Sequence, residues 1–311
     1  MRPSPRSLAL GAALAAMLGG RDAGAYCRSS ACAPHDPGGT TQGQICNPAQ
    51  PDTDCGVELQ WRQPCIGFNV QQDASRQVDY ATAEQTLNQA FAAWTGVDCG
   101  GPPSIQIFDL GPVSCARVEY SQHGGNANVL VFRDDGWPHD SGGGGVDTLA
   151  LTTVTYDVVK GDIYDADIEV NTAANTFTTS DNPGPMDVDL LSVLTHETGH
   201  FLGLAHSQDA SATMFASYVM GTTGLRVLQP DDVAGICEAY PVDRRSVGDC
   251  TGLPRHGFAP ECFADQTYVR CAAGGAGSRG EGGAPGAAFA LVLAAAALGF
   301  RVRARRGSRG S

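Results

Sequence analysis

The stretch His196-Glu197-Thr198-Gly199-His200-Phe201-Leu202-Gly203-Leu204-Ala205-His206 constrains this chain more than any other. It reads H-E-x-x-H-x-x-G-x-x-H. The run from Val188 to Thr195 before it has apolar residues at helical spacing and neither Gly nor Pro, which predicts a helix entering the motif. On that helix His196 and His200 are four residues apart and share one face, with Glu197 projecting beside them. Gly203 is poor inside a helix but well suited to the point where a chain leaves one in a left-handed conformation. Such a turn returns His206 towards the other two imidazoles. Three histidines around an open fourth position are the donor set of a catalytic zinc ion, not of a closed structural one. A buried helix with incidental histidines is the alternative. It does not account for both glycines and the third histidine at this spacing.

The string is similar to the zinc signature of the metzincin metalloproteases. Met214, eight residues after His206, matches the methionine turn of that group. His206-Ser207-Gln208-Asp209 leading to Met214-Phe215-Ala216-Ser217-Tyr218 resembles the matrixin pattern H-S-x-D…M-Y-P-S-Y. Asp231-Asp232-Val233-Ala234-Gly235-Ile236 resembles the D-D-x-x-G-I of the matrixin closing helix. The resemblance spans about 65–241. It implies an α/β (α+β) zincin-like fold: a twisted, mainly parallel sheet with a packing helix, an active-site helix and a C-terminal helix. It also implies that His196, His200 and His206 hold Zn2+ and that Glu197 is the general base. Tyr218 would wall the pocket for the substrate residue after the scissile bond. Ser192, small and one turn before His196, leaves room there for a medium or large apolar side chain, and Ala216 replaces the family's proline.

The N-terminus reads as an export signal. Arg2 and Arg6 precede an apolar run from Leu8 to Leu18, and Ala23-Gly24-Ala25 offers a small-x-small cleavage site before Tyr26. Between Tyr26 and Cys271 there are 11 basic and 31 acidic residues, a net of −20, and Lys160 is the only lysine. A body this acidic has no basic face for nucleic acid. After an export signal, the eleven cysteines read mainly as disulfides, and no C-x-x-C pair offers zinc a thiolate site. The nearest approach to the matrixin propeptide's zinc-blocking P-R-C-G is Gln63-Pro64-Cys65-Ile66-Gly67. It lacks the arginine, so Cys65 reads as a disulfide partner.

In chain order the expected units are a signal (1–25), a loop-rich cysteine segment (26–64), the catalytic domain (65–241), a cysteine-containing appendix (242–273), a Gly-rich linker (274–286) and an apolar, Arg-ended tail (287–311). Strands are expected over 66–70, 105–108, 127–132 and 149–156, with a helix over 80–94 and another over 231–238. In 161–171, strand alternation puts Asp165, Asp167 and Glu169 on one face and Ile168 and Val170 on the other. Matrixins use a comparable acidic strand to bind calcium, so Asp165 and Asp167 are candidate ligands for Ca2+. A solvated edge strand is the alternative. The matrixin stretch that holds a second, structural zinc has no counterpart between Phe132 and Asp167. The tail, with Cys271 before a Gly-rich linker, apolar run and arginines, resembles MYXO-CTERM-type sorting tails. It implies attachment to a membrane or cell surface, with a plain C-terminal anchor as the alternative.

The expectation is a monomeric, exported zinc endopeptidase acting on protein or peptide substrates. A surface binding or adhesion protein on a degenerate metzincin fold is the principal alternative, and the intact Glu197 weighs against it. A non-proteolytic zinc hydrolase is a third reading, disfavoured by the Met214 and D-D-x-x-G-I matches.

Overall fold

The computed structural model describes residues 26–31, 57–139, 148–244, 250–262 and 293–302. The expected signal segment, Cys32, Cys46, Cys55, the glycines at 142–145, Cys271, the Gly-rich linker and the arginines from 303 onward lie outside these residues.

Three two-residue strands come first: β1 (Cys27–Arg28), β2 (Ser30–Ala31) and β3 (Val57–Glu58). The long elements follow as β4 (Cys65–Gln71), α1 (Tyr80–Thr95), β5 (Gln106–Val113), β6 (Val129–Phe132), β7 (Thr148–Asp157) and β8 (Ile163–Val170). Then come β9 (Phe177–Thr178), β10 (Val188–Asp189), α2 (Leu190–Phe201), β11 (Leu204–Ala205), β12 (Ser217–Tyr218), α3 (Pro230–Ala239) and β13 (Leu293–Val302).

One sheet organises the domain, in the order β12-β13-β7-β8-β6-β4-β5. The pairs β4–β5, β4–β6, β6–β8 and β12–β13 are parallel, while β7 runs antiparallel to both β8 and β13. The sheet is thus mainly parallel, as expected, and α1 supplies the crossover that a parallel β4–β5 pair requires. Part of the C-terminal apolar run forms β13, with Leu298 opposite Thr152 of β7. Among the described residues no helix is long and apolar enough to cross a membrane.

α1 begins where Asp79 accepts from the Thr82 amide, satisfying one of the first-turn donors. Its buried face, Ala83, Leu87, Ala90, Phe91 and Trp94, has the helical spacing read from the sequence. Phe91 lies between Phe68 of β4 and Phe201 of α2, at centroid distances of 5.0 Å to each. α2 covers the same face of the sheet, above Ala150 and Val154 of β7 and Ala166, Ile168 and Val170 of β8. The opposite face of β8 carries Asp165, Asp167 and Glu169. The solvated-edge alternative is excluded there, because β8 sits between β7 and β6 and all three acids are buried.

Three disulfides among the described residues staple the chain: Cys65–Cys250, Cys99–Cys237 and Cys115–Cys262. Cys237, Cys250 and Cys262 therefore bond back to the body and not to one another. Cys65 is committed to Cys250, so its thiolate is not a zinc ligand.

Candidate metal centre

The helix that carries the site begins two residues later than its apolar pattern suggests, because Asp189 caps it. Its carboxylate accepts from the Ser192 amide at 2.9 Å and is held by Arg226 at 2.6 and 2.8 Å. The chain leaves α2 after Phe201 and turns at Gly203, whose φ of +88° is the left-handed exit expected there. A side chain at this position would also meet the Leu59 carbonyl, 2.5 Å from the place of a Cβ.

The exit turn brings His206 to the helix face. The candidate donor nitrogens of His196, His200 and His206 lie within 4.8 Å of one another, and all three residues are buried. The His196 Nδ1 is 2.7 Å from the Thr213 carbonyl, and the His200 Nδ1 is 2.9 Å from the Leu204 carbonyl. Carbonyls only accept, so each Nδ1 carries the proton and each Nε2 offers a lone pair. The Nε2 atoms of His200 and His206 are 3.1 Å apart. Burial, then the neighbouring imidazoles, hold His196 and His200 well below the usual imidazole range, so both stay neutral as ligation requires.

Glu197 is fully buried beside them. Its Oε2 accepts from the Thr152 hydroxyl at 2.6 Å, while Oε1 has no partner among the described residues. Burial raises this carboxyl to about 8, against the lowering effect of the Thr152 bonds. A cation at the histidine nitrogens would favour the ionised form. Three convergent imidazoles, two of them held neutral, and a half-satisfied buried carboxylate fit a zinc ion with an open position.

Beneath the histidines Met214 is 2% exposed and packs against Gly199. A Cβ at residue 199 would collide with the Met214 sulfur and lie 2.7 Å from Trp94 Cζ2, which explains a glycine inside this helix. The Trp94 indole donates to the Thr195 carbonyl at 2.8 Å. The paired aspartates of α3 hold the chain at Ser207 and at Thr213–Met214. Asp231 accepts from the Ser207 hydroxyl at 2.6 Å and the Tyr26 amide at 2.8 Å. Asp232 accepts from the amides of Thr213, Met214 and Gln229 at 2.8, 3.0 and 2.8 Å. One continuous set of bonds therefore runs from α3 through Thr213 to His196.

Tyr218 is fully buried near the start of α2, its hydroxyl accepting from the Asp189 amide and donating to the Thr222 carbonyl. Ser192 is also fully buried. Asp165 and Asp167 lie side by side on the far face of β8. Asp167 accepts from the amides of Val129 and Glu119, at 2.8 and 3.2 Å. Asp165 is raised well above the carboxylate range by burial and then by Asp167, and its Oδ1 has no partner among the described residues. Glu169, next on this face, is bound by Arg133 at 2.6 Å and by His139 at 2.7 Å. Cys115, Glu119 and Cys262 also cluster, but the two cysteines share a disulfide and offer no thiolate.

Sequence reasoning missed Thr152 and the orienting carbonyls of Thr213 and Leu204. Thr152 stands in an ordinary Thr-rich strand, and carbonyls leave no trace in residue identity. Asp231 and Asp232 were visible only through the family pattern.

The matrixin peptidase family matches residues 60–241. The chain is 28% identical over 187 residues to metalloendoproteinase 1-MMP of Arabidopsis thaliana, covering 58% of this chain and 44% of that protein. It is 30% identical over 162 residues to human stromelysin-3, covering 50% and 27%. It is 26% identical over 182 residues to human neutrophil collagenase, covering 58% and 33%. The chain spans less than half the length of each of these relatives.

Proposed function

Since the chain belongs to the matrixin family, a family of zinc metallopeptidases, we propose that it is an endopeptidase whose zinc ligands are His196, His200 and His206 and whose general base is Glu197. The observation that carries this reading is the Glu197 carboxylate, half satisfied and buried, beside three convergent imidazole nitrogens. A zinc ion bound there would act as a Lewis acid, polarising the scissile carbonyl and lowering the pKa of water towards about 7. The protein's own part is proton handling. Thr152 fixes Glu197 through Oε2, leaving Oε1 to accept a proton from the attacking water. The same carboxyl then returns the proton to the leaving amine. Burial favours the protonated form of this carboxyl and a bound cation the ionised one, and the double duty uses both forms.

The family resemblance assigns Tyr218 and Ser192, both near the start of α2, to the pocket for an apolar substrate side chain. Asp165 and Asp167 are the candidate calcium ligands, a reading supported by the unpartnered Asp165 Oδ1. Export rests on the N-terminal apolar segment, and surface attachment on the tail beyond Cys271, whose cleavage would also withdraw β13 from the sheet. Intact mass of the protein from its native cell tests both: a chain starting at Tyr26 and ending near Cys271 with added lipid supports them, and Met1–Ser311 intact overturns them.

Hydrolysis of casein or gelatin, measured with and without a zinc chelator, tests the enzymatic reading. Activity that survives chelation overturns the metal-dependent mechanism. Zinc binding without any hydrolysis favours a surface-binding protein on the same fold.

A further inference from the structure

The segment at residues 26–31 lies directly against the turn that delivers the third histidine. β1 pairs antiparallel with β11, placing Arg28 opposite Leu204 and Cys27 opposite Ala205, the residue before His206. Ser29 continues this contact. Its amide donates to the Gly203 carbonyl at 2.9 Å and its hydroxyl to the Leu204 carbonyl at 3.0 Å. From the other side, the Leu59 amide donates to the Ser29 carbonyl at 2.7 Å, and the Leu59 carbonyl abuts Gly203. Ser29 is buried, so water does not substitute for its hydroxyl.

The Leu204 carbonyl is also the acceptor that fixes the tautomer and ring plane of His200. Two donors therefore meet on one oxygen: the His200 ring from the helix and the Ser29 hydroxyl from the N-terminal segment. A carbonyl held by a second donor keeps its direction, and the imidazole that follows it keeps its aim.

We infer that Ser29 is a positioning residue for the metal centre, acting through the Leu204 carbonyl on His200, and that residues 26–31 are a working part of the site. The inference rests on the zinc reading given above. Outer partners of metal-bound histidines typically contribute about 10- to 100-fold in metal affinity. Losing the Ser29 hydroxyl falls at the lower end, because the His200–Leu204 bond itself remains.

The test uses the full chain with Ser29→Ala, Ser29→Thr and Ser29→Val. Thr and Val have the same size and differ in the hydroxyl, so their comparison separates hydrogen bonding from packing. Zinc affinity is read by competition with a chromophoric chelator, and thermal unfolding is followed on the zinc-free proteins. The expected result is affinity about 10-fold weaker for Ala, and for Val relative to Thr, with little difference between the unfolding temperatures of zinc-free Thr and Val variants. Equal affinity of the Thr and Val variants overturns the positioning role. If the unsubstituted chain itself binds no zinc, the metal assignment fails, a result distinct from failure of the Ser29 inference.

Discussion

The two faces of the sheet at β7 and β8 each bury a cluster of ionisable groups, and they treat them in opposite ways. On the α2 face three imidazoles converge, and two of them, His196 and His200, are kept neutral by burial and turned by carbonyls so that their Nε2 lone pairs face the third. Glu197 is left with one oxygen unmatched. On the other face the acids are mostly answered by the protein: Glu169 by Arg133 and His139, and Asp167 by two amides. Among the described residues of that face, only Asp165 retains an unmatched oxygen. The first cluster is built to receive something; the second is largely closed upon itself. Desolvation alone does not make a site, and the pattern of what stays unsatisfied separates the two.

The largest expected effect tests the open cluster. Glu197→Ala should keep zinc near one per chain by elemental analysis while lowering peptide hydrolysis by about 10²–10⁴-fold or more. Hydrolysis at the unsubstituted rate ends the proposed mechanism.

Next comes the ligand set itself. His206→Ala should weaken zinc binding by more than the roughly 10- to 100-fold typical of outer partners, whereas His256→Ala should leave it unchanged. Equal retention by both variants after dialysis against a chelator would place the third ligand elsewhere.

The closed cluster should respond in stability and not in metal affinity. Arg133→Ala leaves Glu169, 2% exposed at its side chain, without its guanidinium partner. Removing one member of a buried pair costs about 3 kcal/mol, softened here because His139 remains. Denaturant unfolding should show the loss with zinc affinity intact; a matching fall in zinc affinity would mean that the two faces are coupled.

The smallest effect is a slope with pH. The Asp165 carboxyl is raised in the folded protein, first by burial and then by Asp167. Folding therefore favours its protonated form. That contribution is full below the ordinary carboxylate range and is lost as pH rises through the raised value. Thermal unfolding in chelator should fall in temperature from pH 5 to pH 8, and Asp165→Asn should flatten the trend. Calcium should restore stability at pH 8 if Asp165 and Asp167 bind it; no response to calcium removes that assignment.

The same contrast explains what could be read from residues alone. His196, His200 and Gly203 act through helical and turn geometry over a few residues, and that geometry is written in their spacing. The buried face of α1 and the strands around Phe68, Leu130 and Ile168 were legible for the same reason. The start of α2 was not, because Asp189 ends the apolar pattern's claim on Val188 by capping. The fate of Asp165 was left open, since alternation assigns a face but not what lies over it. Here its neighbour Asp167 is held by the amides of Glu119 and Val129, far from β8 in the chain. Ser29 carried no signal at all; its role depends on a partner 175 residues away.

The three described disulfides carry a consequence in time. They span 185, 138 and 147 residues, and each awaits Cys237, Cys250 or Cys262. The histidine motif at 196–206 is synthesised before any of these partners. A chain that emerges N-terminus first therefore has its whole metal-binding string available before the first of these cross-links can close. During that interval the start of β4 that later receives Cys250 and the loop that later receives Cys262 are without these cross-links. A stall in synthesis short of residue 237 would leave a product with every candidate zinc ligand and none of these staples. Such a fragment should be far more open to proteolysis than the finished chain.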